Sequence, residues 1–198
     1  PLGDFLMKSL HITPKQFGVA VSSYAFCAGL SGLLTAGFAD KFDRKKLLLF
    51  FYIGFIFGTV LCGIAPDYRS LIVGRVITGI FGGVIGSISM AIITDLFQFN
   101  QRGRVVGIVQ MGFAASQVLG IPIGLYLANI WGWHSPFLMI VILSILIVLF
   151  IIFKLKPVDD HLLLQKNQNA FLHFKKVLTT KNYRIAFLST TVLSIGGY

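Results

Sequence analysis

The sequence predicts an all-α integral membrane protein, and three observations carry that expectation. Hydrophobic residues make up 56% of the 198 and charged residues only 12%, against about a quarter charged in soluble domains. The mean hydropathy is +0.83. Glutamate is absent, so all seven acidic residues are aspartates, and a water-facing surface is hard to build from that inventory. A disulfide-stapled secreted module is excluded because Cys27 and Cys62 are the only cysteines.

About 20 apolar residues cross a hydrocarbon core of roughly 30 Å. Five stretches reach that length: 17–38, 47–65, 71–94, 105–130 and 136–153, and a sixth begins near Ile185. They must be helices, since open strands would leave backbone groups unpaired in lipid. The chain opens on Pro1 rather than Met and stops at Gly196-Gly197-Tyr198 inside the sixth apolar run. The expectation is an internal fragment of a longer membrane protein.

Residues 39–46, 95–104 and 154–184 are longer polar links, whereas 66–70 and 131–135 are short turns. Of the 17 Lys and Arg, 13 fall in the longer links: Lys41, Arg44, Lys45, Lys46, Arg102, Arg104, Lys154, Lys156, Lys166, Lys175, Lys176, Lys181 and Arg184. Only Lys8, Lys15 and Arg69 lie on the opposite side, and Arg75 lies within a span. The positive-inside rule makes the longer links cytoplasmic. Residues 1–16 then face outward, with one helix missing before them as the simplest arrangement. The net charge of +10 is therefore topological and gives no reason to expect nucleic acid as a partner. In the 154–184 link, Phe171, Phe174, Val177 and Leu178 recur at helical spacing among lysines, which suits a short amphipathic helix at the inner surface.

Small residues recur every four positions in the third and fourth spans. Gly74, Thr78, Gly82 and Gly86 make one ridge, with Gly79, Gly83 and Ser87 beside it, and Gly112, Ser116, Gly120 and Gly124 make another. Such ridges allow close backbone approach where lipid removes the hydrophobic drive between helices. Gln110 and Gln117 are seven apart and share one face of the fourth span. Polar atoms at that depth face a bundle interior or an aqueous cavity, and both cavity lining and hydrogen bonding to a neighbouring helix fit. Tyr24, with Ser22 and Ser23, is a candidate of the same kind.

Arg75 lies about four residues from the outer end of its span, roughly 6 Å at 1.5 Å per residue. Snorkelling to the interface and lining the interior both fit that position. Asp95 closes the third span at its C-terminal end, where the helix dipole disfavours an anion. A cation partner is therefore expected, and Arg44 or Arg102 can supply it. Asp40 occupies the equivalent place after the first span, and Asp43 is placed to cap the second helix.

The run Gly37-Phe38-Ala39-Asp40-Lys41-Phe42-Asp43-Arg44-Lys45-Lys46 resembles the loop signature G-x-x-x-D-[RK]-x-G-[RK]-[RK] of the major facilitator superfamily. Arg75-Val76-Ile77-Thr78-Gly79 resembles that family's fourth-helix R-x-x-x-G, and Asp95 followed by Arg102-Gly103-Arg104 resembles its next link. Gly120-Ile121-Pro122-Ile123-Gly124 and the later Trp131-Gly132-Trp133 are similar to the drug:proton antiporter branch, especially its arabinose-efflux-permease-like members. Three positions depart from the pattern. Asp43 stands where the loop signature has Gly. Ile121 separates Gly120 from Pro122, which favours the sugar-efflux-like branch. His134 stands where Arg often follows the second tryptophan.

The resemblance implies a fragment of a twelve-helix major facilitator fold, covering helices two to six and the start of seven. Residues 1–153 would form the N-terminal bundle without its first helix, 154–184 the cytoplasmic inter-bundle linker, and 185–198 the start of the C-terminal bundle. It implies alternating access around a central cavity, with Asp40, Arg44, Asp95 and Arg102 at an inner gate. Arg75 gains a role in coupling or charge compensation, alongside Gln110, Gln117 and Tyr24 as cavity candidates, and Gly120, Pro122 and Gly124 shape a hinge. The expected partners are a small-molecule substrate, protons and the bilayer of a bacterial inner membrane, and the expected assembly is a monomer.

No Asp, Glu or His lies inside the five expected spans, so proton coupling rests on the resemblance alone. His11, His134, His161 and His173 are scattered along the chain without metal-type spacing. The polar links are too short for a soluble catalytic domain. No enzyme activity, metal or cofactor is expected. The expected function is proton-coupled efflux of a sugar-like or drug-like solute, with an importer or uniporter of another branch as the alternative.

Overall fold

The computed structural model describes residues 2–35 and 39–158. The expected linker beyond residue 158, its amphipathic helix and the start of a further bundle at 185–198 lie outside the described residues. Among the described residues six α-helices follow one another: α1 (Leu2–Leu10), α2 (Pro14–Thr35), α3 (Arg44–Gly63), α4 (Tyr68–Leu96), α5 (Phe99–Trp131) and α6 (Ser135–Lys154). A short 3-10 turn, Ala39–Lys41, precedes α3. Helices α2 to α6 are long and apolar enough to cross a membrane, and the described residues contain no strand.

The helices overrun the apolar stretches, and the reason is capping. Hydropathy marks where lipid begins, whereas a helix stops where its last free amides and carbonyls find other partners. The expected link 95–104 is mostly helix, with only Phe97 and Gln98 between α4 and α5. Thr13-Pro14-Lys15-Gln16 starts α2 as a capping box: the Thr13 hydroxyl accepts from the Gln16 amide at 3.3 Å, and the Gln16 side chain accepts from the Thr13 amide at 2.8 Å. Asp67 and Ser70 form a second capping box on α4. There the Ser70 hydroxyl and amide hold the Asp67 carboxyl below its ordinary pKa.

Residues 1–16, expected as a segment outside the spans, contain α1. It ends at His11, which takes the left-handed conformation (φ 51°), and the Ile12 amide reaches back to the Met7 carbonyl at 3.0 Å. Leu6 and Ile12 then pack with Ala20, Cys62, Leu71 and Trp133. The Trp133 indole donates to Ser9 Oγ at 2.8 Å, so α1 covers the end of the bundle away from the basic links. A second cluster, including Leu47, Phe51, Val84, Ile88 and Ile151, fills the basic end.

Helices α3 and α4 pair antiparallel at the centre, with α2 against α4 and α6 against α3. The two small-residue ridges of α4 serve different neighbours. A Cβ at Gly79 would lie 2.6 Å from the Tyr24 carbonyl of α2, whereas one at Gly74 would lie 2.7 Å from Cys62 Sγ of α3. Backbones this close favour van der Waals packing and cross-helix bonds, and the Ser31 hydroxyl donates to the Ile80 carbonyl. The ridge on α5 differs. Every residue from 107 to 123 is exposed, and Gly112, Gly120 and Gly124 meet nothing within 4 Å. Among the described residues this ridge is open along Gly112, Ser116 and Gly120, and its last member, Gly124, is buried.

Candidate gating site

The turn Ala39–Lys41 and the first residues of α3 gather charge at the basic end. Asp40 lies in that turn, and its side chain is outside the described part of the structure. Asp43 caps α3, accepting from the Lys45 amide at 2.8 Å. Arg44 follows as the first helical residue, its side chain only 8% exposed. Its Nε donates to Asp95 Oδ2 at 3.1 Å, across to the last turn of α4. Of the two cations the sequence offered to Asp95, Arg44 makes this bond.

Arg102 does different work. Its guanidinium donates to the carbonyls of Thr94 at 2.7 Å and Phe97 at 3.0 Å, satisfying groups that the end of α4 leaves without intrahelical donors. The sequence could not foretell this, because the acceptors are backbone atoms.

Electrostatics makes the Arg44–Asp95 pair conditional. A cation at a helix N-terminus and an anion at a C-terminus each sit on the pole that disfavours them, by about 0.3–1 kcal/mol. Because α3 and α4 run antiparallel, each charge lies beside the other helix's complementary pole. Both charges are therefore favoured only while the two helix ends stay together.

Arg75 sits toward the opposite end and turns inward against α2. Its Nε donates to the Ala20 carbonyl at 3.2 Å, and its guanidinium carbon lies 4.9 Å from the centroid of the Tyr24 ring. Tyr24 is thus a cation–π platform within the α2–α4 interface. Arg75 borders a cavity of about 200 Å³ lined by Phe17, Ala20, Val21, Leu71 and Phe137, with Gly3 and Leu6 of α1. Ser22 and Ser23 donate to carbonyls of their own helix.

Gln110 and Gln117 do not join either group. Both are exposed on α5, and neither side chain has a hydrogen bond to another described residue. Pro122 lies inside α5, and the helix continues through it to Trp131. Gly132 then closes α5 at φ +82°, a left-handed position suited to glycine. His134 packs its ring on Trp133 and places Nδ1 2.7 Å from the Gly63 carbonyl. An acceptor there requires the proton on Nδ1. Among the described residues, no three His, Cys or acidic side chains gather as a metal site.

Comparison with known proteins places this geometry in a family. The family model described as Major Facilitator Superfamily matches residues 1–198. An uncharacterized MFS-type transporter of Bacillus subtilis, YceJ, is 34% identical over 75% of this chain and 38% of its own length. Multidrug resistance protein 3 of the same organism is 35% identical over 74% of this chain and 28% of its own. A probable sugar efflux transporter of Helicobacter pylori is 27% identical over 77% of this chain and 39% of its own. The chain thus spans less than half the length of these curated relatives. With five membrane-length helices among its described residues it is an integral membrane protein, and it belongs to the major facilitator superfamily of transporters.

Proposed function

We propose that this chain works within a carrier that exports a small organic solute, sugar-like or drug-like, in exchange for protons, by alternating access. The observation that carries the reading is the 3.1 Å Arg44–Asp95 bond, whose charges are favoured only while the ends of α3 and α4 meet. A contact present in one arrangement and absent in another biases a two-state equilibrium. In this reading Asp40, Arg44, Asp95 and Arg102 form the inner gate, with Arg102 bracing the end of α4. The basic end faces the cytoplasm by the positive-inside rule, the membrane is the bacterial inner membrane, and the carrier is a monomer.

Gln110 and Gln117 line the solute path in this account, because primary amides at membrane depth need polar company. Arg75 and Tyr24 act together in coupling or charge compensation. Gly120, Pro122 and Gly124 form the hinge of α5. Pro122 has no amide proton, so the Val118 carbonyl lacks its helical donor and the helix is weakened there.

The relatives named for multidrug resistance and sugar efflux support export. One feature favours a second reading, a uniporter or importer of another branch. Helices α2 to α6 contain a single acidic residue, Asp95, in the last turn of α4. A proton-carrying carboxylate would then come from elsewhere in the complete protein. The complete protein in inverted vesicles under an imposed pH gradient separates the two readings. Dissipation of the gradient on adding a given sugar or lipophilic cation supports exchange. Flux of labelled solute down its own gradient without dissipation supports the second reading. Absence of any solute flux contradicts both.

A further inference from the structure

The chain leaving α6 does not hang free from the basic end. Beyond Lys154 it turns onto the N-terminus of α3, where the Arg44 amide donates to the Val158 carbonyl at 3.1 Å. The Val158 amide donates in return to Asp43 Oδ1 at 3.3 Å, the same oxygen that accepts from the Lys45 amide at 2.8 Å. Lys45 Nζ completes the attachment by donating to the Ile152 carbonyl in the last turn of α6 at 3.0 Å. Val158 is 5% exposed.

The arrangement follows from what each end leaves unsatisfied. The first amides of α3 have no partner within the helix. Asp43 takes one and Val158 takes another. A glycine, which the family's loop signature carries at position 43, has no side-chain oxygen to offer to Lys45 or to Val158. The departure at this position therefore creates an acceptor that fastens two segments more than a hundred residues apart.

We propose that Asp43 is a clasp. It pins residues 155–158 to α3 beside the Arg44–Asp95 pair, so the chain leaving α6 travels with the helix bundle instead of serving as a loose tether. The clasp rests on the gating reading in one respect: Arg44 serves both, its backbone amide holding the strap and its side chain holding Asp95. Asp43 acts here as a positioning residue.

The test is the rate at which a maleimide labels Val158→Cys in the complete protein in lipid nanodiscs, read by mass spectrometry of the peptide containing residue 158. Labelling is expected to be slow with Asp43 present and about tenfold faster in Asp43→Ala, the scale of losing the one hydrogen bond from the Val158 amide to that carboxylate. Asp43→Asn keeps the accepting oxygen and is expected to label as slowly as the native residue. Cys62, fully buried in the core, must stay unlabelled in every variant, which separates release of the strap from unfolding. Equal rates with Asp43 and with Asp43→Ala would overturn the clasp, as would Asp43→Asn labelling as fast as Asp43→Ala. Solute flux through Arg44→Ala reads the gate independently, so either account can fall alone.

Discussion

Replacing either Arg44 or Asp95 by alanine is expected to lower solute flux through the complete carrier about tenfold or more, while insertion and expression persist. Location sets the size of the effect. An exposed ion pair contributes only about 0–1 kcal/mol, but the Arg44 side chain is 8% exposed and that of Asp95 23%. Removing one partner leaves the other on an unfavourable helix pole without its counter-charge. A shift of about 1.4 kcal/mol between two conformations changes their ratio tenfold, and a carrier that must visit both loses turnover when either is depleted. Flux of labelled solute into proteoliposomes, normalised to inserted protein, measures the effect. Near-native flux in both variants would remove the pair from the mechanism.

Arg75 gives the second large effect. Arg75→Ala is expected to lower flux about tenfold, and Arg75→Lys is expected to restore little of it. A lysine keeps the charge but loses the planar fork that here donates to the Ala20 carbonyl and lies over the Tyr24 ring. Tyr24→Phe keeps a π face and is expected to retain most of the activity, whereas Tyr24→Ala removes the platform and should resemble Arg75→Ala. The same flux assay decides. Full recovery in Arg75→Lys would mean that charge alone matters at this position.

Much of this architecture can be read from composition and spacing because lipid allows few solutions. Five apolar stretches became five membrane-length helices, and the need of Asp95 for a cation followed from its place at a helix end. The helix boundaries were less legible. Thr13, Gln16, Asp67 and Ser70 act through hydrogen bonds to the backbone, which extend or start helices independently of hydropathy. Helix α1 escaped notice because nine residues are too few for a span, and its anchors, the packing of Leu6 and the bond from Trp133 to Ser9, depend on the fold.

The partners chosen by Arg75, Arg102 and Lys45 were illegible for a different reason. Their acceptors are the carbonyls of Ala20, Thr94, Phe97 and Ile152, and every residue has a carbonyl. Only the fold decides which one comes near. The two ridges of α4 were visible as a pattern of small residues, but their division between α2 and α3 required the packing itself. For Gln110 and Gln117 the sequence left cavity lining and interhelical bonding open, and no described residue bonds either side chain.

A double-mutant cycle on Arg44 and Asp95 tests the proposed gate most directly. Flux is measured for the complete protein carrying Arg44→Ala, Asp95→Ala or both, each reconstituted at equal density. If the two side chains act as one contact, breaking it once breaks it entirely, and the double variant should be no slower than the slower single variant. Losses that multiply would show that the two residues act independently, contradicting a gate built on their contact.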